Sequence, residues 1–239
     1  MVKYEIMVNK NTDQFVVLLH GWGQNRKSMY PLGNMLNKKY NVLMIDLPGF
    51  GDSPIEYPYH IEDYISDIEE VLNTHLINPS LIIGHSFGGK VGAFYSLKHP
   101  TPLLLLAPSI VKPKFSFTTF FKIKGYKAFK FLKKIKIIKR IPKKFKGSND
   151  YQNSHGMLRL TFNNVVHCYL NKDIRLLKKK VIVLIGEEDK IIDKYQGRKM
   201  KKYISNGRVE FINGDHFAYL INKKYISQIV TEFMKGESR

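Results

Sequence analysis

One serine, framed by glycines and placed directly after an unbroken aliphatic run, limits what this chain can fold into more than any other feature: Leu81-Ile82-Ile83-Gly84-His85-Ser86-Phe87-Gly88-Gly89. An aliphatic run without polar alternation is the pattern of a strand buried on both faces. The next stretch, Phe87–Lys98, has the length of a helix. A strand that turns at once into a helix leaves no room for side chains at the turn, and glycines stand two before and two after the serine. The hydroxyl is then lifted above the sheet at the positive end of a helix, where a developing anion is favoured. A serine hydroxyl is a weak nucleophile by itself and needs an adjacent base.

The remainder of the chain repeats this alternation. Short β-branched or aliphatic runs predict strands at Tyr4–Val8, Phe15–His20, Asn41–Asp46, Leu81–Gly84, Leu103–Ala107, Val181–Gly186 and Arg208–Ile212. Helix-length stretches lie between them at Ser28–Lys39, Ile61–His75, Phe87–Lys98, Asp193–Ile204 and Ala218–Met234. In the second of these, Ile61, Tyr64, Ile65, Ile68, Val71 and Leu72 recur at helical spacing, and Glu62, Asp63, Asp67 and Glu69 face outward. Strand and helix in alternation specify an α/β fold, a mostly parallel sheet covered on both faces. At 239 residues the chain suffices for one sizeable domain carrying an insertion.

Four further motifs close predicted strands. His20-Gly21-Trp22-Gly23 follows Phe15–Leu19, Asp46-Leu47-Pro48-Gly49-Phe50-Gly51 follows the next strand, Gly186-Glu187-Glu188-Asp189 follows Val181–Ile185, and Asn213-Gly214-Asp215-His216-Phe217 follows the last. His216 is the candidate base, because the other seven histidines lack its placement between the last strand and the final helix. Asp189 is the best-placed carboxylate to orient it, with Glu188 and Asp193 as competitors. The amide of Phe87, directly after the serine, and that of Trp22 are candidate oxyanion donors. Trp22, His85 and Phe217 are candidate side chains of the substrate pocket; for Trp22 a packing role competes. No P-loop, dinucleotide fingerprint or metal-ligand spacing is present, so no cofactor or metal is expected.

In order and over nearly the whole length outside 110–180, HGWG, DLPGFG, GHSFGG, GEED and GDH resemble the motifs of the α/β-hydrolase fold serine hydrolases. The resemblance implies Ser86, Asp189 and His216 as nucleophile, acid and base of an esterase that works through an acyl-enzyme. It also implies a lid inserted between the strands ending near Ala107 and Gly186. HGWG with DLPGFG is similar to the pimeloyl-carrier-protein methyl ester esterases, which have Trp before the serine and Leu after it, where this chain has His85 and Phe87. GHSFGG is closer to carboxylesterases and monoacylglycerol lipases. Serine rather than aspartate at position 86 argues against the branches that use a carboxylate nucleophile.

The charge is distributed unevenly. Residues 1–109 hold 8 basic and 10 acidic side chains and residues 181–239 hold 11 and 8, whereas residues 110–180 hold 20 and 2. Nearly all of the formal net charge of +19 therefore belongs to one internal segment, read as an inserted, basic, mainly helical lid. The core comprises 1–109 and 181–239. From Phe117 to Ile141 lysines interleave with apolar residues, predicting an amphipathic helix that Pro142 ends. Such a helix can cover the catalytic pocket, lie on an anionic membrane or dock an acidic carrier protein. A weakly catalytic, hydrolase-fold binding protein that uses this lid on a polyanion is the competing reading. No nucleic-acid module accompanies the charge. The single cysteine, Cys168, and the lack of a secretory or membrane-spanning segment lead to the expectation of a cytoplasmic protein, peripheral to a membrane at most.

Overall fold

A computed structural model describes residues 1–114 and 148–236. Seven strands form one sheet: β1 (Lys3–Met7), β2 (Phe15–Leu19), β3 (Asn41–Asp46), β4 (Pro79–His85), β5 (Leu103–Leu106), β6 (Val181–Gly186) and β7 (Gly207–Ile212). Their order is β1-β3-β2-β4-β5-β6-β7. Only β1 runs antiparallel, pairing Lys3 with Asp46 and Met7 with Val42; every other pairing is parallel. The strands thus fall where the apolar runs predict them. Each parallel strand ends at the same edge of the sheet, and every motif identified above sits at that edge.

The unbroken apolar strands serve two cores at once. Val17, Leu19, Leu43 and Ile45 belong to one buried cluster, and Val16, Leu18, Val42 and Met44 to the other. Side chains alternate across a strand, so a run with no polar member feeds both faces. One face is covered by α2 (Ile61–Thr74) and α3 (Phe87–Lys98), the other by α1 (Tyr30–Leu36) and the C-terminal α8 (Lys223–Gly236). Helix α2 presents Ile61, Tyr64, Ile65, Ile68, Val71 and Leu72 to the core, as their spacing predicts. Its start is fixed by His60, whose amide donates to Asp63 at 2.6 Å.

Two predicted helices differ from expectation. The stretch expected at Ser28–Lys39 opens with a 3-10 turn, Arg26–Met29, before α1. Pro31 stands in the first turn of α1, where it is tolerated because no intrahelical N–H is needed there. The stretch expected at Ala218–Met234 is divided into α7 (Ala218–Ile221) and α8. The break is at Asn222, whose side-chain amide donates to the carbonyls of Asn213 and Ala218, both at 2.8 Å. A side chain competing for backbone carbonyls in this way interrupts a helix.

Between β5 and β6 the described part of the insertion forms α4 (Asn149–Asn153), α5 (Gly156–Val165) and a 3-10 turn, Asn171–Leu176. The basic helix expected over Phe117–Ile141 lies outside the described residues. The two ends of the insertion meet: the Ile110 carbonyl accepts from the amides of Leu170 (2.9 Å) and Asn171 (3.3 Å). Gln196 on α6 (Lys194–Tyr203) donates to the Val111 carbonyl at 2.7 Å, tying this junction to the sheet's helical cover. Val165, Leu170 and Ile174 are buried in the same cluster as Val17 and Leu43, so α5 and the 3-10 turn pack against that core. No described helix is long and apolar enough to cross a membrane.

Candidate active site

The serine turn is built under strain. Ser86 has φ 50° and ψ −107°, a backbone conformation that costs an L-residue on the order of 1–3 kcal/mol. Neighbouring elements hold it there. The Ser86 amide donates to the Leu106 carbonyl at 2.9 Å, and the Ser86 carbonyl accepts from Lys90 (3.1 Å) and Ser109 (3.2 Å). Gly88 lets α3 lie directly on the end of β2, where a Cβ would come within 2.4 Å of the His20 and Leu19 carbonyl oxygens. Phe87 opens α3, so its amide has no intrahelical acceptor, and its side chain is buried against Tyr64 and Trp22.

Two loops further along the sheet edge bring an acid and a base together. Gly186, at the end of β6, lies against the loop after β7: a Cβ there would fall 2.1 Å from the Asp215 carbonyl oxygen. The Glu188 amide donates to the Gly214 carbonyl at 3.0 Å across the same contact. Asp189, its carboxylate fully enclosed, lies 2.8 Å through Oδ2 from His216 Nδ1. Its Oδ1 accepts from the amides of Ile191 (2.7 Å) and Ile192 (2.9 Å). Burial by itself would raise the Asp189 pKa; the hydrogen bonds from His216, Ile192 and Ile191 outweigh it and hold the carboxyl below its ordinary value. Of the competing carboxylates, Glu188 is exposed and Asp193 caps α6 by accepting from the Gln196 amide at 2.9 Å.

The remaining predicted residues take distinct places. Trp22 is half-buried and packs edge-on against Phe50 (4.8 Å between ring centroids), Phe87 (5.1 Å) and Phe162 of α5 (5.1 Å). It joins the early loop, the serine turn and the insertion. Phe217 is 41% exposed and lies with its ring 5.4 Å from that of His85. His85, a pocket candidate, is 1% exposed, with both ring nitrogens directed at oxygen atoms. His20 is also enclosed: its Nε2 accepts from the Leu47 amide at 3.0 Å, which leaves Nδ1–H to donate to the Gly21 carbonyl at 2.8 Å. Burial lowers its pKa to about 4, so a neutral ring ties the HGWG loop to the DLPGFG turn.

Three features of this region are not singled out by the sequence. Asp46, fully buried, accepts from the amides of Arg26 (2.6 Å) and Asp52 (2.9 Å) and pairs with the Arg26 guanidinium, fixing the DLPGFGD turn. Lys90, four residues after the serine and 2% exposed, donates from Nζ to the Val165 carbonyl at the end of α5 (2.9 Å). Thr161 and Asn164 of α5 hold the backbone of Tyr59, Thr161 Oγ1 accepting from its amide (2.8 Å) and Asn164 Nδ2 donating to its carbonyl (3.1 Å). The only sequence signals were an acidic residue closing a strand and a lysine inside an otherwise apolar helix.

Comparison with known proteins agrees with this architecture. Residues 14–112 match a family described as alpha/beta hydrolase fold. The chain is 36% identical over 85 residues to the pimeloyl-[acyl-carrier protein] methyl ester esterase of Neisseria meningitidis, a match covering 36% of this chain and 32% of that protein. It is 32% identical over 117 residues to a probable alcohol acetyltransferase of Saccharomyces cerevisiae, covering 45% and 34% respectively. The chain therefore spans about a third of the length of these curated relatives. Among solved structures, an esterase from Exiguobacterium antarcticum superposes with a TM-score of 0.74 at 18% identity, over 98% of this chain and 95% of that one. A mostly parallel seven-stranded sheet, a strained serine between β4 and α3, and these likenesses establish that the chain has the α/β-hydrolase fold.

Proposed function

We propose that the protein is a serine hydrolase of carboxylic esters. The observation that carries this reading is the buried Asp189–His216 pair, 2.8 Å apart, on the sheet edge where the strained Ser86 turn ends. In this reading Ser86 Oγ attacks the ester carbonyl carbon as His216 takes its proton, and Asp189 orients and stabilises the resulting imidazolium. The amides of Phe87 and Trp22 receive the oxyanion. Collapse releases the alcohol, which leaves with the proton held by His216, and an acyl group remains on Ser86. Water, deprotonated by His216, then frees the carboxylic acid and restores the serine. Relatives named as esterases support the reaction class, and the aromatic surroundings of Trp22 suit an acyl chain.

A fluorophosphonate probe tests the reading. Wild-type protein is expected to label covalently and to hydrolyse chromogenic acyl esters, and Ser86→Ala is expected to do neither. Folded wild type that fails to label would leave a binding protein on a hydrolase scaffold. We further propose that residues 110–180 form a lid over this edge, supported by the seating of α5 on Tyr59 and of Phe162 on Trp22. Its excess of 18 positive charges suits an acidic partner surface, and the carrier protein in one relative's name makes an acyl-carrier substrate the leading choice over a membrane.

A further inference from the structure

His85 joins three chain segments at one point. Its Nδ1 is 2.9 Å from Gln24 Oε1 in the loop that carries Trp22, and its Nε2 is 3.0 Å from the carbonyl oxygen of His216. Its own backbone is the residue before Ser86. The ring also lies 4.8 Å from that of Tyr219 and 4.9 Å from that of His216. The early loop closes tightly on it, for a Cβ on Gly21 would stand 2.8 Å from His85 Nδ1. Gln24 Oε1 accepts from the Gly21 amide at 2.9 Å, which fixes that atom as an oxygen. Both imidazole nitrogens therefore face acceptors, and a neutral ring has one N–H to share between them. Burial lowers the His85 pKa to about 3, so the ring is neutral near pH 7.

We propose that His85 is a positioning residue that sets the loop carrying His216 in register with the loop carrying the Trp22 amide, across the Ser86 turn. The contact to the His216 carbonyl matters most, because it reaches the backbone of the base itself. This inference rests on the esterase reading above. A misplacement of about 1 Å at a reacting group costs roughly 100-fold in rate, so loss of this brace acts on kcat and leaves KM nearly unchanged.

Conservative variants separate the two contacts. In His85→Gln the side-chain amide stands where Nε2 stood and can still donate to the His216 carbonyl. In His85→Asn it stands where Nδ1 stood and reaches only Gln24. His85→Leu has neither contact. The expected result, with chromogenic esters, is kcat within a few-fold of wild type for His85→Gln and a 10- to 100-fold fall for His85→Asn and His85→Leu at similar KM. Fluorophosphonate labelling should slow in the same order, and circular dichroism with thermal melting identifies variants that remain folded. A second variant, Gln24→Leu, keeps the His216 contact; its kcat loss should be non-additive with that of His85→Leu. Folded His85→Asn and His85→Leu with wild-type kcat, His85→Gln as impaired as His85→Leu, or strict additivity with Gln24→Leu would each overturn the proposal. Wild type without Ser86-dependent turnover would instead overturn the esterase reading.

Discussion

Under the proposed esterase reading, Asp189 concentrates the chemistry of the site at the scale of one residue. It has no exposed carboxylate surface, and its two oxygens receive the His216 ring and two backbone amides. Replacing it by Asn keeps the shape but lets the side chain offer N–H where the imidazole needs an acceptor. By analogy with other serine hydrolases, Asp189→Asn is expected to lower kcat by roughly 10³- to 10⁴-fold with little change in KM, as read from steady-state hydrolysis of a chromogenic ester. Because its folded pKa is depressed, the carboxylate contributes stability that is complete above the ordinary aspartate pKa of 3.8 and is lost as the pH falls below it. Urea midpoints of wild type and Asp189→Asn should accordingly converge as the pH is lowered through that value. The sequence favoured Asp189 but left Glu188 and Asp193 as competitors, since all three lie within five residues of one another. The choice among them depends on the close approach of Gly186 to the loop after β7, which no local pattern records.

At the scale of one element, α5 shows how an insertion is fastened to a sheet. Thr161 is fully buried and satisfies the Tyr59 amide. Thr161→Val preserves the volume and leaves that N–H without an acceptor, so a loss of about 1–3 kcal/mol in unfolding free energy is expected from chemical denaturation. Lys90 makes stability depend on pH. Burial disfavours the charged amine and pulls its pKa from 10.5 to about 8, although Nζ donates to the Val165 carbonyl. Between those two pH values the unfolded chain holds a proton that the folded chain has released, so stability rises with pH across that window, by about 3 kcal/mol in total. Lys90→Met should abolish this rise, which is measured as the difference between variant and wild-type urea midpoints at pH 7.5, 9 and 10.5. The five central strands were legible as short apolar runs and the two edge strands, β1 and β7, as short β-branched or aliphatic stretches. The role of Lys90 was not, because its acceptor lies 75 residues away.

Across the whole molecule, charge is concentrated in one internal segment. The sheet and its helical cover are nearly neutral, and residues 110–180 hold almost all of the excess. If this segment meets an acidic carrier, a purified acyl carrier protein should bind the wild type more tightly at low salt than at physiological salt, as followed by titration calorimetry. Equal sedimentation with anionic and neutral liposomes should accompany that result; preferential sedimentation with anionic liposomes would reassign the surface to membranes. The order of motifs along the sheet edge was legible from the residues. The brace at His85 was not, because its partners stand 61 and 131 residues from it. The meeting of Leu170 and Asn171 with the Ile110 carbonyl has a further consequence. A segment whose ends are pinned together pays loop-closure entropy that grows only with the logarithm of its length, about 0.6 kcal/mol per doubling. Outside its core-packed helix α5, this segment can therefore change in length at small thermodynamic cost while the sheet edge stays fixed.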